Sequence, residues 1–143
     1  MKLLMKKTQV IDLNESIRRA AALAKNHIRP NRIQLDLKLS AKSPRVLVHP
    51  GQLAQTLLEL VKHASDGIVG NGASGTIQIT SAVIRDHVLV SVIGDGLADE
   101  THARLRMRLS RNIIREFGGD LWVSSGQPTG TTFTIDLPSA SFN

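Results

Sequence analysis

Two runs rich in β-branched residues, Thr76-Ile-Gln-Ile-Thr-Ser-Ala-Val-Ile84 and His87-Val-Leu-Val-Ser-Val-Ile93, are separated only by Arg85 and Asp86. A two-residue link joins extended segments as an antiparallel hairpin, because a parallel pair needs a long crossover. Asp120 to Ser125 and Thr131 to Leu137, flanking a turn from Gly126 to Gly130, predict a second hairpin. A chain built on two such hairpins needs something apolar to cover one face of the sheet they form.

Helical periodicity supplies that cover. Gln52 to Ile68 reads as one amphipathic helix, opened by Pro50-Gly51 and closed near Val69-Gly-Asn-Gly-Ala-Ser-Gly75. Asp12 or Asn14 caps an earlier helix reaching about His27, with Ile17, Ala20, Ala21 and Leu23 on its inner face; Asn26 to Asn31, with Pro30, ends it. Arg104 to Phe117 is a third helix, with Gly118-Gly119 as its C-cap. Gln9 to Asp12 is short and extended. Arg32 to Leu39 alternates strictly, which predicts a strand with Ile33, Leu35, Leu37 and Leu39 inward, and Arg45 to Val48 is another strand. The order predicts an α+β fold: a two-layer sandwich with a mixed, mostly antiparallel sheet and three main helices on one face. Residues 1–8 read as a basic tail, 9–138 as the domain and 139–143 as a second tail.

Composition narrows the function classes. A chain of 143 residues with 41% hydrophobic content forms one domain with a proper core. Without cysteine there are no disulfides, thiolate zinc sites or cysteine nucleophiles. No apolar run approaches the roughly 20 residues that span a bilayer. Met1 to Lys7 is too short for a signal peptide's apolar core, so a cytoplasmic location is expected, either free or as the cytoplasmic part of a membrane-anchored protein, with no membrane contact by this domain. The net charge of +6 suits an acidic protein partner as well as nucleic acid. Three Phe, one Trp and no Tyr leave little platform for stacking bases, so nucleic acid is disfavoured. No Ser-His-Asp or His-Glu-x-x-His arrangement is present, and no metal site is expected.

From about Gln9 to Pro138 the chain resembles the catalytic and ATP-binding domain of sensor histidine kinases, the Bergerat fold of the GHKL superfamily. Val10-Ile-Asp-Leu-Asn14 is similar to the entry into the domain's first helix, and Gln52 to Ile68 to its N-box helix. Ile113-Ile-Arg-Glu-Phe-Gly-Gly-Asp-Leu-Trp-Val-Ser-Ser125 is similar to the helix-Gly-Gly-strand segment, and Gly130-Thr-Thr-Phe-Thr-Ile-Asp-Leu-Pro138 to the closing strand. The resemblance implies two-component signalling, with a response-regulator receiver domain or dimerisation and phosphotransfer helices as partners. For an intact site it implies ATP and Mg²⁺ as ligands.

Carried over residue by residue, the resemblance puts Glu59 at the N-box acid that polarises water; a partly exposed helix acid is the plain alternative. His63 stands where the family has a Mg²⁺-supporting Asn, and imidazole is a poor donor for that hard ion. Asp66 and Gly67 close the N-box. Gly94 takes the place of the Asp that reads the adenine amino group, Asp95 takes the variable position, Gly96 the first Gly and Ala98 the second. Asp95 replaces the missing carboxylate only if the turn slips by one residue. Arg106-Met-Arg-Leu109 resembles a Gly-x-Gly-Leu box with arginine at both glycines, after a lid from Leu97 to Leu105 too brief to be complete. Arg106 and Arg108 either grip phosphate or fill the pocket. Thr131, opening the closing strand, is the last nucleotide-site position. Arg104, Arg108, Arg111 and Arg115 share one helix face; it is a solvated stripe or, at Arg104, Arg111 and Arg115, a docking surface for an acidic partner. Gly94, His63 and the two arginines together predict a pseudo-ATPase with impaired ATP binding and no cofactor, acting as a regulatory or interaction module. The alternatives are a functional ATP-binding domain of a histidine autokinase, and the scaffold of a phosphotransfer protein that docks receivers.

Overall fold

The computed structural model describes residues 7–28, 33–70, 74–96, 99–126 and 130–140. Strand β1 (Gln9–Asp12) leads into helix α1 (Leu13–Ile28), followed by β2 (Ile33–Lys38), β3 (Arg45–Val48) and the long helix α2 (Pro50–Gly70). Then come β4 (Gly75–Ile84), β5 (His87–Gly94), the short helices α3 (Glu100–Arg106) and α4 (Arg108–Glu116), and the hairpin β6 (Asp120–Gly126) and β7 (Gly130–Pro138). The main sheet runs β2-β4-β5-β7-β6, with β2 parallel to β4 and every other pair antiparallel. This is the mixed, mostly antiparallel sheet the sequence predicts. β1 and β3 stay out of it and pair with each other, Gln9 opposite Val48.

Strand alternation fills the core. Ile77 and Ile79 of β4, Val88, Val90 and Val92 of β5, Leu121 and Val123 of β6, and Phe133, Ile135 and Leu137 of β7 are all buried. Helix α2 answers with Leu53, Leu57, Leu60, Val61, Ala64 and Ile68, a stripe at helical spacing that seals against the sheet. Each fully buried large aliphatic side chain contributes about 1.5–3 kcal/mol, so this stripe fixes α2 firmly.

Four local expectations need correction. In α1 the Asp12 carboxylate accepts the Glu15 amide at 3.1 Å, as a cap should, but Leu23 is 54% exposed and Ala24 is buried in its place. At about 100° per residue, Ile17, Ala20, Ala21, Ala24 and Ile28 form the stripe, and Leu23 falls outside it. In β2 only Ile33 is fully buried; Leu35, and Leu39 just beyond the strand, are half-buried against the core as expected, but Leu37 is 37% exposed, because β2 is an edge strand. The single helix expected from Arg104 is instead two, broken at the buried Met107, and the first begins at Glu100, where the Asp99 side chain caps Thr101 and His102 at 2.9 and 3.3 Å. Finally, Ser139 and Ala140, expected in a tail, donate to the Asp86 and Arg45 carbonyls at 2.7 Å each. Gly118, at φ +86°, ends α4 as expected. The basic segment before Lys7, Pro30, and Leu97 and Ala98 of the expected lid and second-glycine position lie outside the described residues.

Leu57→Ala is expected to cost about 2–5 kcal/mol, whereas Leu23→Ala should change stability by less than about 0.5 kcal/mol. Urea unfolding followed by far-UV circular dichroism measures both.

Candidate functional site

The site lies where β5 ends against the middle of α2. Gly94 closes β5 opposite Thr131, and a side-chain carbon there would approach Ala64 of α2 to 3.2 Å. At Gly96 the packing is closer still: a side-chain carbon would lie 2.4 Å from the Gly67 carbonyl carbon, so only glycine lets this loop rest on the α2 backbone. From the other side, the Thr131 hydroxyl donates to the Gly96 carbonyl at 2.8 Å and sits 3.2 Å from the Ser125 hydroxyl. Asp95 turns away. Its carboxylate accepts the Thr76 amide at 2.7 Å, so it is engaged with β4 and does not stand in for a carboxylate at position 94.

Between α2 and α3 a cavity of about 150 Å³ opens, walled by His63, Asp66 and Gly67 on one side and by His102 and Arg106 on the other, with Phe133 below. His63 is only 7% exposed, its Nδ1 has no hydrogen-bond partner, and its ring lies 6.1 Å from that of Phe133. Burial, helped by the Arg106 charge, lowers its pKa, so the imidazole is neutral near pH 7. Glu59 sits one turn earlier on α2, 3.9 Å from His63 and 3.8 Å from Lys62; it is half-exposed and does not line the cavity. The exposed Asp66 approaches Arg106 at 3.5 Å.

The arginines part company. Positions 106 and 108 lie about 200° apart around a helix, so Arg106 faces the cavity while Arg108 lines a separate groove beside β6. The structure therefore brings Arg106 to the other nucleotide-site positions and leaves Arg108 out. Arg104 bonds Glu100 at 3.1 Å, and Arg111 and Arg115 converge on Asp120 at 2.9 and 3.3 Å. The hydrogen bond from Arg111 holds the Asp120 carboxyl well below the usual carboxylate range. Asp99, His102 and Phe133 went unremarked as site residues in the sequence. An Asp three residues before a His at a helix start was the available signal, since it marks the cap and the face that α3 presents.

Oxygen donors for a metal are sparse. Among the described residues no group of three or more His, Asp or Glu could hold an ion. Asp99 commits one carboxylate oxygen to two amides and Asp66 one to Arg106, while the free nitrogen of His63 is the wrong donor for Mg²⁺. The side chains thus do not fit a metal held by the protein alone.

Because the pKa of His63 lies below its ordinary 6.5, on acidification the unfolded chain takes up a proton that the native one refuses. The stability from this group is complete above the ordinary value and declines as pH falls below it. The urea midpoint should therefore drop more steeply from about pH 7.5 to about pH 5.5 in the wild type than in His63→Asn; equal slopes would contradict this.

A family model described as "Histidine kinase-, DNA gyrase B-, and HSP90-like ATPase" matches residues 48–141. The sensor histidine kinase ZraS of Escherichia coli (strain K12) is 29% identical over 146 residues, covering 91% of this chain and 31% of its own length. Sensor protein FixL of Bradyrhizobium diazoefficiens is 26% identical over 151 residues, covering 94% of this chain and 30% of its own. The chain thus spans about a third of the length of these relatives. Among solved structures, the catalytic domain of histidine kinase ThkA superposes with a TM-score of 0.79 at 26% identity, covering 92% of this chain and 96% of that one. ThkA in complex with response regulator protein TrrA gives 0.78 at 25%, covering 93% of this chain and 42% of that one. The fold is that of histidine kinase catalytic domains, and the chain belongs to the histidine kinase-, DNA gyrase B- and HSP90-like ATPases.

Proposed function

We propose that this chain is the ATP-binding catalytic domain of a sensor histidine kinase in two-component signalling, with nucleotide held in the cavity between α2 and α3. One arrangement carries the proposal: apolar Ala103 and Phe133 line the same cavity as the Arg106 guanidinium. A flat base suits the apolar wall, and phosphates suit the guanidinium, which pairs with them in a charge-assisted, forked geometry. The likeness to ZraS and ThkA supports a nucleotide-binding role over a pseudo-ATPase. Since the side chains offer a hard cation so little oxygen, Mg²⁺ would enter together with the phosphates, as it commonly does. The phosphate would pass to a histidine on a separate dimerisation helix, and from there to a response regulator such as the one crystallised with ThkA. The cytoplasm is the fitting location; among the described residues no helix is long and apolar enough to cross a membrane.

A regulatory module with weakened nucleotide affinity is the second reading. It is favoured by Gly94, which offers no acceptor to a base, and by Asp95, whose carboxylate is committed to Thr76. Calorimetric titration with Mg²⁺-ATP separates the two. The catalytic reading expects saturable micromolar binding that Arg106→Ala weakens by at least about tenfold, or roughly 1.4 kcal/mol; absence of binding at millimolar nucleotide would leave only the second. Gly94→Asp, which requires Ala64 to give by a few tenths of an ångström, should tighten ATP by about tenfold and GTP by less, because a carboxylate there accepts from the 6-amino group of adenine where guanine has a carbonyl.

A further inference from the structure

The outer edge of β6 repeats one arrangement along its length. Among the described residues β6 pairs with β7 alone in the sheet, so its other edge carries no strand there. On that edge the Leu121 amide donates to the Asp120 carboxylate at 2.8 Å, and the Ser125 amide donates to the Glu100 carboxylate at 2.8 Å. The two-residue period of a strand puts the Val123 amide on the same edge, midway between them. Each carboxylate is also gripped by guanidinium, Asp120 by Arg111 and Arg115, Glu100 by Arg104. Edge amide, carboxylate and arginine therefore occur together twice, and both times the chain supplies its own carboxylate.

The central position has the amide and the arginine. Val123 and Arg108 line one groove of about 340 Å³, with Leu121 and Trp122 as its apolar wall. Among the described residues no carboxylate pairs with Arg108. We propose that this groove docks an acidic, extended segment of a protein partner. One carboxylate side chain of that segment enters between the Arg108 guanidinium and the Val123 amide, and an apolar neighbour lies over Trp122. Charge supports the choice of occupant: four arginines face two carboxylates along this edge, and the chain's net charge of +6 steers acidic partners toward it. Since Asp120 and Glu100 occupy the flanking amides, the segment engages one central amide and does not add a full strand. The buried Met107 separates this surface from the cavity that Arg106 faces, so the groove stands apart from the proposed nucleotide site.

Trp122 is the only tryptophan and is 43% exposed, so its fluorescence reports on the groove directly. The titrants are a blocked peptide alternating Val with Glu, its Val-Gln counterpart and a single-stranded oligonucleotide. The proposal expects a saturable change in Trp122 emission with the Glu peptide. Binding of the Gln peptide, and of the Glu peptide to Arg108→Gln, should each be weaker by at least about tenfold, as for loss of one charge-assisted bond. Circular dichroism of Arg108→Gln checks that the fold is kept; if it is not, the comparison of Glu and Gln peptides on the wild type decides alone. A flat emission with the Glu peptide, equal affinity for both peptides, or a folded Arg108→Gln that binds as before would each overturn the proposal. An oligonucleotide that binds more tightly than the Glu peptide, with the same dependence on Arg108, would overturn it in favour of nucleic acid.

Discussion

A contact between two stretches of backbone governs the candidate site. Gly96 rests on Gly67 with no room for a side-chain carbon, so the loop after β5 is held at the surface of α2. α2 is itself immobilised by the stripe from Leu53 to Ile68 that closes the core. The Thr131 hydroxyl then holds the Gly96 carbonyl from the β7 side. With the loop fixed between helix and sheet, the width of the neighbouring cavity is left to α3, which the Asp99 cap starts and the break at Met107 ends. Close packing thus turns a hydrophobic stripe into a defined cavity wall.

The charges keep their side across the break: Arg104, Arg108 and Arg111 line one groove, and Arg115 joins Arg111 at Asp120. In the structure three of them neutralise Glu100 and Asp120, and those carboxylates also occupy amides on the free edge of β6. Exposed pairs of this kind add little to stability; their effect is to protect an edge that would otherwise recruit another strand. Arg106 and Arg108, adjacent but for one buried methionine, are left to face a cavity and a groove on opposite sides.

What was legible in the sequence follows from how local each determinant is. Both hairpins and the α2 stripe rest on periodicity within a single segment, and they appear where the pattern puts them. Leu23 was misplaced because the alanines around it define the buried face of α1 as well as any large residue would. The fading burial of β2 depends on its place at the sheet edge, which no local pattern encodes. At the site, residue types could be matched to a family motif, but not the direction of every side chain. Asp95 turning to Thr76 and Glu59 standing clear of the cavity depend on contacts between distant segments, whereas the parting of Arg106 from Arg108 follows from helical spacing and was open to a sequence reading.

One coupling joins the electrostatics of the site to its proposed use. His63 is kept neutral first by burial and next by the positive charge of Arg106. Arg106 is also the cation that would meet a phosphate in the cavity. An anion bound there would offset the guanidinium field and make protonation of His63 less costly, while desolvation continued to oppose it. By linkage, protonating His63 would favour the anion to the same extent. An uncharged Asn at this position could not take part in that exchange. The histidine therefore adds a pH-dependent term to whatever anion the cavity holds, whether or not it ever touches a metal.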